Sequence, residues 1–137
     1  MKQQTGKPMV KKICMLVCSL MITAGSLSAQ VISELPPFER AIAVIKHFEG
    51  LHNKAEHYPY VGYGHKVLPG ENLSTDMTEE EADRLLRSDL MKLCKMFCGY
   101  GQDSLLLATL AYNVGAYRLL GYGDRPKSRL VQMLDEG

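Results

Sequence analysis

Phe48-Glu49-Gly50, followed across a short loop by Tyr60-Val61-Gly62-Tyr63-Gly64-His65, is the stretch whose reading decides the fold. The first triplet closes an apolar-periodic segment with a carboxylate and stops it with a glycine. The second reads as a tight glycine turn between two aromatic-rich half-strands. An acid at the end of a helix, facing a glycine-rich turn, is an arrangement with which a glycosidase can hold a proton donor beside a sugar.

Upstream, Phe38, Ala41, Ile42, Ile45 and Phe48 recur at spacings of three and four, with Glu39, Arg40, Lys46 and His47 between them. That pattern predicts an amphipathic helix from Pro37, stopped by Gly50. Glu49 lies four residues after Ile45, at the edge of the apolar face, where its carboxylate is partly desolvated. The C-terminal end of a helix also carries partial negative charge. Both effects are expected to raise the pKa of this glutamate, the direction a general acid needs near neutral pH. The competing reading is a solvated side chain on a frayed turn, and the helix pattern alone does not decide between them.

Downstream, Asn53, Pro59, Gly62, Gly64, Gly70 and the aromatic Tyr58, Tyr60 and Tyr63 suit a short hairpin turning at Gly62 to Gly64. Thr78 with Glu81 forms a capping box that opens a helix, and Ala82, Leu85, Leu86, Leu90, Leu93, Cys94 and Phe97 mark its buried face. Gly99 and Gly101 end it. Asp103 or Ser104 caps a next helix, Leu105 to Asn113, which is apolar on nearly every side and so is expected in the middle of the core; Gly115 stops it. A last helix begins near Ser128 and runs through Leu130, Val131 and Leu134. The fold class expected is α+β, predominantly helical.

The first 29 residues read as an export signal: Lys2, Lys7, Lys11 and Lys12, the apolar run Ile13 to Ala24, and a small-residue stretch ending at Ala29. Cleavage is expected after Ala29, with Ser28 as the alternative. The run falls short of the about 20 residues of a comfortable membrane span, an uncleaved anchor being the other reading. Cys14 and Cys18 lack the small-residue context of a lipid-modified cysteine. The remaining stretch, residues 30–137, suffices for one domain with one modest core. The whole chain carries a formal charge of +1 and the four lysines leave with the signal, so the remainder is near neutral or slightly acidic. It has no long basic run, which argues against nucleic acid as a partner. Cys94 and Cys98, one turn apart on a helix, are poorly placed for a disulfide and are expected as two small buried apolar side chains.

Five motifs in one order carry a resemblance: Phe48-Glu49-Gly50, Gly62-Tyr63-Gly64-His65, Thr78-Glu79-Glu80-Glu81-Ala82 with Leu85-Leu86, Ala111-Tyr112-Asn113-Val114-Gly115, and Ser128-Arg129-Leu130. Together, from about Pro37 on, the chain resembles the phage-type lysozymes, most of all the lysozyme-like proteins of Bacteroides-type conjugative elements. The resemblance implies a helical lobe with a small β-hairpin lobe. It implies hydrolysis of the β-1,4 bond between N-acetylmuramic acid and N-acetylglucosamine in peptidoglycan, without metal or organic cofactor. Glu49 takes the place of the family's catalytic glutamate, and Tyr58, Tyr60, Tyr63, His65 and Asn113 become candidates for contact with the glycan. The implied setting is the periplasm or cell exterior, where the wall is opened locally for a conjugation or secretion apparatus.

Three departures stand beside the match. Tyr60 occupies the place of the family's threonine, and no aspartate lies between Glu49 and His65. Glu56 is the one carboxylate there, expected either to position the attacking water or to be a solvated loop residue. Family members also continue with further helices, so the helical lobe is expected to be incomplete and marginally stable. His47, His52, His57 and His65 match no zinc spacing; His65 is expected to tie the hairpin to the helical lobe, and the tyrosines either stack on sugar rings or pack a small sheet. Two rivals remain: a non-catalytic peptidoglycan-binding protein of the same shape, and a small helical interaction protein of the cell envelope with no affinity for glycan.

Overall fold

Pro37 supplies a fixed φ at the opening of helix α1 (Pro37–Glu49), and Gly50, at φ +67°, closes it. The computed structural model describes residues 31–137, and the export signal expected in residues 1–29 lies outside them. A 3₁₀ turn (Ala55–His57) leads to β1 (Tyr60–Val61), which pairs antiparallel with β2 (His65–Lys66) in the register Tyr60 opposite Lys66 and Val61 opposite His65. The turn between them is Gly62-Tyr63-Gly64, with both glycines at positive φ. Helix α2 (Glu79–Met96) follows, then a 3₁₀ segment (Cys98–Asp103), α3 (Ser104–Val114), α4 (Ala116–Leu120) and α5 (Arg129–Asp135). Residues 37–137 thus form a predominantly helical α+β unit with one small two-stranded sheet. Among the described residues no helix is long and apolar enough to cross a membrane.

The core gathers Ile42 and Ile45 from α1, Ala82, Leu86 and Leu90 from α2, and Leu107, Ala108 and Ala111 from α3, with Phe97 fully buried at the end of α2. Each large side chain so enclosed contributes roughly 1.5–3 kcal/mol. The capping box forms as read: the Glu81 N–H donates to Thr78 Oγ1 (3.2 Å) and the Thr78 N–H donates to Glu81 Oε2 (2.7 Å). Ser128 caps α5, accepting from the Val131 N–H at 3.3 Å. Along the seam of α1 and α2, Arg87 grips Glu39 with both terminal nitrogens (2.7 and 2.9 Å) and Asp83 with Nε (2.6 Å), while Lys46 pairs with Asp83.

Three expectations are corrected, and one element is added. Phe48 is 77% exposed. Taking Ile45 as the centre of the buried face and about 100° per residue, Phe48 falls about 60° to one side and Glu49 about 40° to the other, toward the hairpin. Helix α3 is enclosed on one side only, with Leu106 68% exposed. Cys98 is exposed rather than buried, and Cys94 half-buried; both are free thiols. Finally, α4 was not legible as a helix, since five residues between Gly115 and Gly121 are too few for a period to show.

Candidate active site

Three chain segments converge beside the end of α1. The positive φ of Gly50 turns the chain out of the helix and across to the hairpin, where the His52 N–H donates to the Gly62 carbonyl at 2.7 Å. The imidazole of His52 binds the same carbonyl through Nδ1 at 3.3 Å. Because a carbonyl only accepts, it is an Nδ1–H that donates, and the neutral tautomer with this bond has its lone pair on Nε2. The turn glycines are required by what they touch. A Cβ on Gly62 would lie 3.1 Å from Met77 Sδ and 3.3 Å from Ala82 Cβ, so the hairpin seats closely on the start of α2. A Cβ on Gly64 would lie 3.1 Å from Glu49 Oε2, so the carboxylate rests against a bare backbone.

The third segment is the end of α3. The Tyr112 hydroxyl donates to the Tyr63 carbonyl at 2.7 Å and so fixes the turn from behind. Burial, followed by the negative charges of Asp89 and Glu49, pushes the Tyr112 phenol well above its usual range, and it therefore keeps the proton it donates. Asn113, next along, donates to the Thr109 carbonyl at 3.2 Å and keeps its amide oxygen for other partners. Glu49, His52, Tyr60, Gly64, Tyr112 and Asn113 line a mainly polar cleft of ≈ 280 Å³. Larger hollows lie elsewhere, such as the ≈ 480 Å³ groove of Phe38, Met91, Cys94, Lys95 and Cys98. That groove is apolar, and it offers no pairing of acid and acceptor.

The structure thus brings together three of the sequence candidates, Glu49, Tyr60 and Asn113. Four others lie apart from the cleft lining. Glu56 sits exposed on the 3₁₀ turn, because the loop from Gly50 to Tyr60 carries it outward. Tyr58 is exposed beside it. Tyr63 is only 5% exposed, its ring packed into the core and its hydroxyl donating to Glu79 Oε1 at 3.0 Å, so it has no free face for a sugar. His65 spends both ring nitrogens on carboxylates, Nδ1 on Asp89 (2.5 Å) and Nε2 on Glu71 (2.9 Å). Burial alone would lower its pKa, but the bonds to Glu71 and Asp89 outweigh burial and raise it. His65 is therefore a clamp between hairpin and α2, with both ring nitrogens engaged.

Two lining residues were not singled out from the sequence as glycan-contact or catalytic candidates. Tyr112 stands inside the Ala111–Gly115 motif, and the signal that could have marked it is its position in the last turn of an apolar helix. His52 follows the helix-stopping glycine, a place that gives no hint of the carbonyl it binds ten residues on. Among the described residues no three His, Cys, Asp or Glu side chains gather as metal ligands. No family model, curated protein or solved structure matches the chain.

Proposed function

We propose that the chain is an exported lysozyme-like muramidase, which hydrolyses the β-1,4 bond between N-acetylmuramic acid and N-acetylglucosamine with Glu49 as general acid. The observation that carries this reading is the meeting of the Glu49 carboxylate with Gly64 at the rim of a polar cleft that holds no second carboxylate. Glu49 is half-buried at a helix C-terminus and can present a proton to a glycosidic oxygen lying in the cleft. Tyr60 offers a 44% exposed ring as a face for a sugar, and Asn113 offers an amide for its hydroxyl or acetamido groups. The resemblance of the five sequence motifs to phage-type lysozymes supports the same substrate, and local opening of the wall for a transfer apparatus is the proposed setting.

Glu56 lies outside the cleft, and this favours a second reading, a wall-binding protein of the same shape without turnover. Clearing of a purified peptidoglycan suspension by the chain and by Glu49→Gln separates the two. Turnover requires clearing by the first and about 10²–10⁴-fold less by the second. Equal absence of clearing, with both proteins still pelleting with sacculi, establishes the binding reading instead.

A further inference from the structure

We infer that His52 is the second catalytic group of the cleft, the base that takes a proton from the attacking water. This rests on the muramidase reading of the same site. Hydrolysis of a glycosidic bond needs two groups: one to protonate the leaving oxygen and one to activate water or attack the anomeric carbon. Among the residues lining the cleft Glu49 is the sole carboxylate, and the phenol of Tyr112 holds its proton and already donates it to Tyr63. His52 is the remaining side chain there with a basic lone pair. Its Nδ1–H donates to the Gly62 carbonyl, which sets the tautomer, and its N–H is bound to the same oxygen, which fixes the residue to the turn that also abuts Glu49. Such a backbone-oriented imidazole leaves Nε2 as an acceptor of defined direction.

The step balances without another reactant. The water oxygen bonds to the anomeric carbon while its proton passes to His52 Nε2; the bond from that carbon to the leaving oxygen breaks, and the oxygen takes the proton of Glu49. Exchange with solvent then returns a proton to Glu49 and removes one from His52. The imidazole meets His57 from the 3₁₀ turn (ring centroids 5.1 Å) and Tyr60 from β1 (6.4 Å), and it shares the cleft lining with Glu49 from α1 and Tyr112 from α3.

The test uses three full-chain variants on peptidoglycan, with thermal unfolding to verify folding. His52→Asn places an amide donor where Nδ1 stood, so it keeps the bond to Gly62 and loses Nε2. It is expected to lower kcat about 10²–10⁴-fold with KM little changed, and to abolish the limb of the pH–rate profile on which activity rises with pH. His52→Asp restores a base and is expected to recover part of the turnover with that limb moved to lower pH, since carboxylates titrate below imidazoles. Glu49→Gln runs alongside. If wild type clears the wall, Glu49→Gln does not, and His52→Asn keeps full activity, His52 is only a clip and the inference is overturned while the muramidase reading stands. If wild type itself does not clear the wall, both are overturned.

Discussion

The hairpin and the C-terminal segment are both attached to the same three-helix core, and they are attached in different ways. The hairpin strands are two residues each, too short to hold together by themselves. What keeps them in place is a set of directional bonds, half-buried for Tyr112 to the Tyr63 carbonyl, Tyr63 to Glu79 and His65 to Asp89, and exposed for His65 to Glu71. The segment from Ala116 onward buries Leu119 and Val131, leaves Leu130, Met133 and Leu134 exposed, and otherwise relies on surface bonds such as Lys127 to Asp135. Exposed pairs of that kind contribute about 0–1 kcal/mol. Position is thus specified where the cleft is, and merely tolerated where it is not. Changes to the hairpin should therefore alter chemistry, and changes to α4 and α5 should alter stability alone.

On the proposed muramidase reading, the largest effect is the loss of about 10²–10⁴-fold in turnover expected for Glu49→Gln, with thermal unfolding little changed; unaltered turnover would mean that the carboxylate against the hairpin turn is not the acid. Gly64→Ala comes next. A methyl placed 3.1 Å from Glu49 Oε2, on a backbone at φ +92°, is expected to cost about 2 kcal/mol and to displace the carboxylate, so both unfolding and clearing should fall. Val131→Ala, which removes the buried anchor of α5, should cost a similar ~2 kcal/mol in denaturant melts. Activity per folded molecule should be retained, and a drop would erase the distinction between the two regions.

A smaller effect concerns pH. The His65 pKa is raised in the folded chain, so its clamp contributes fully below the unfolded value of about 6.5 and is lost as pH climbs through the folded value. Glu71, lowered by its bond to His65, acts in the other direction and loses its contribution as pH falls below about 4.5. Thermal midpoints should therefore fall on both sides of that window, and Asp89→Asn should reduce the decline on the alkaline side. The smallest change is Ser128→Ala, expected to remove about 1 kcal/mol from α5 with no kinetic consequence.

Much of this architecture was legible because it is local. The three-and-four spacing before Gly50, the reciprocal bonds of Thr78 and Glu81, the glycines around Tyr63 and the cap at Ser128 each state their structure within one helical turn or one tight loop. What escaped depends on partners far along the chain. Whether Tyr63 faces a sugar or the core is settled by Glu79 and by the ring's contact with Lys46, 4.9 Å from its centroid. Whether Glu49 or Phe48 turns inward depends on which side of α1 the hairpin approaches. His52 and Tyr112 acquire their places only through the carbonyls of Gly62 and Tyr63, backbone atoms that no side-chain pattern advertises. Leu106 and Cys98 show the converse, since apolar identity alone does not say which flank of a helix finds a neighbour.

The ion pairs along the seam of α1 and α2 have one further consequence. Glu39 and Lys46 face Arg87 and Asp83 in opposite order, so a slide of one helix past the other by a turn would set charges of the same sign side by side. The arrangement works as a vernier: it favours the observed axial register of α1, the helix that ends at Glu49, three residues beyond Lys46.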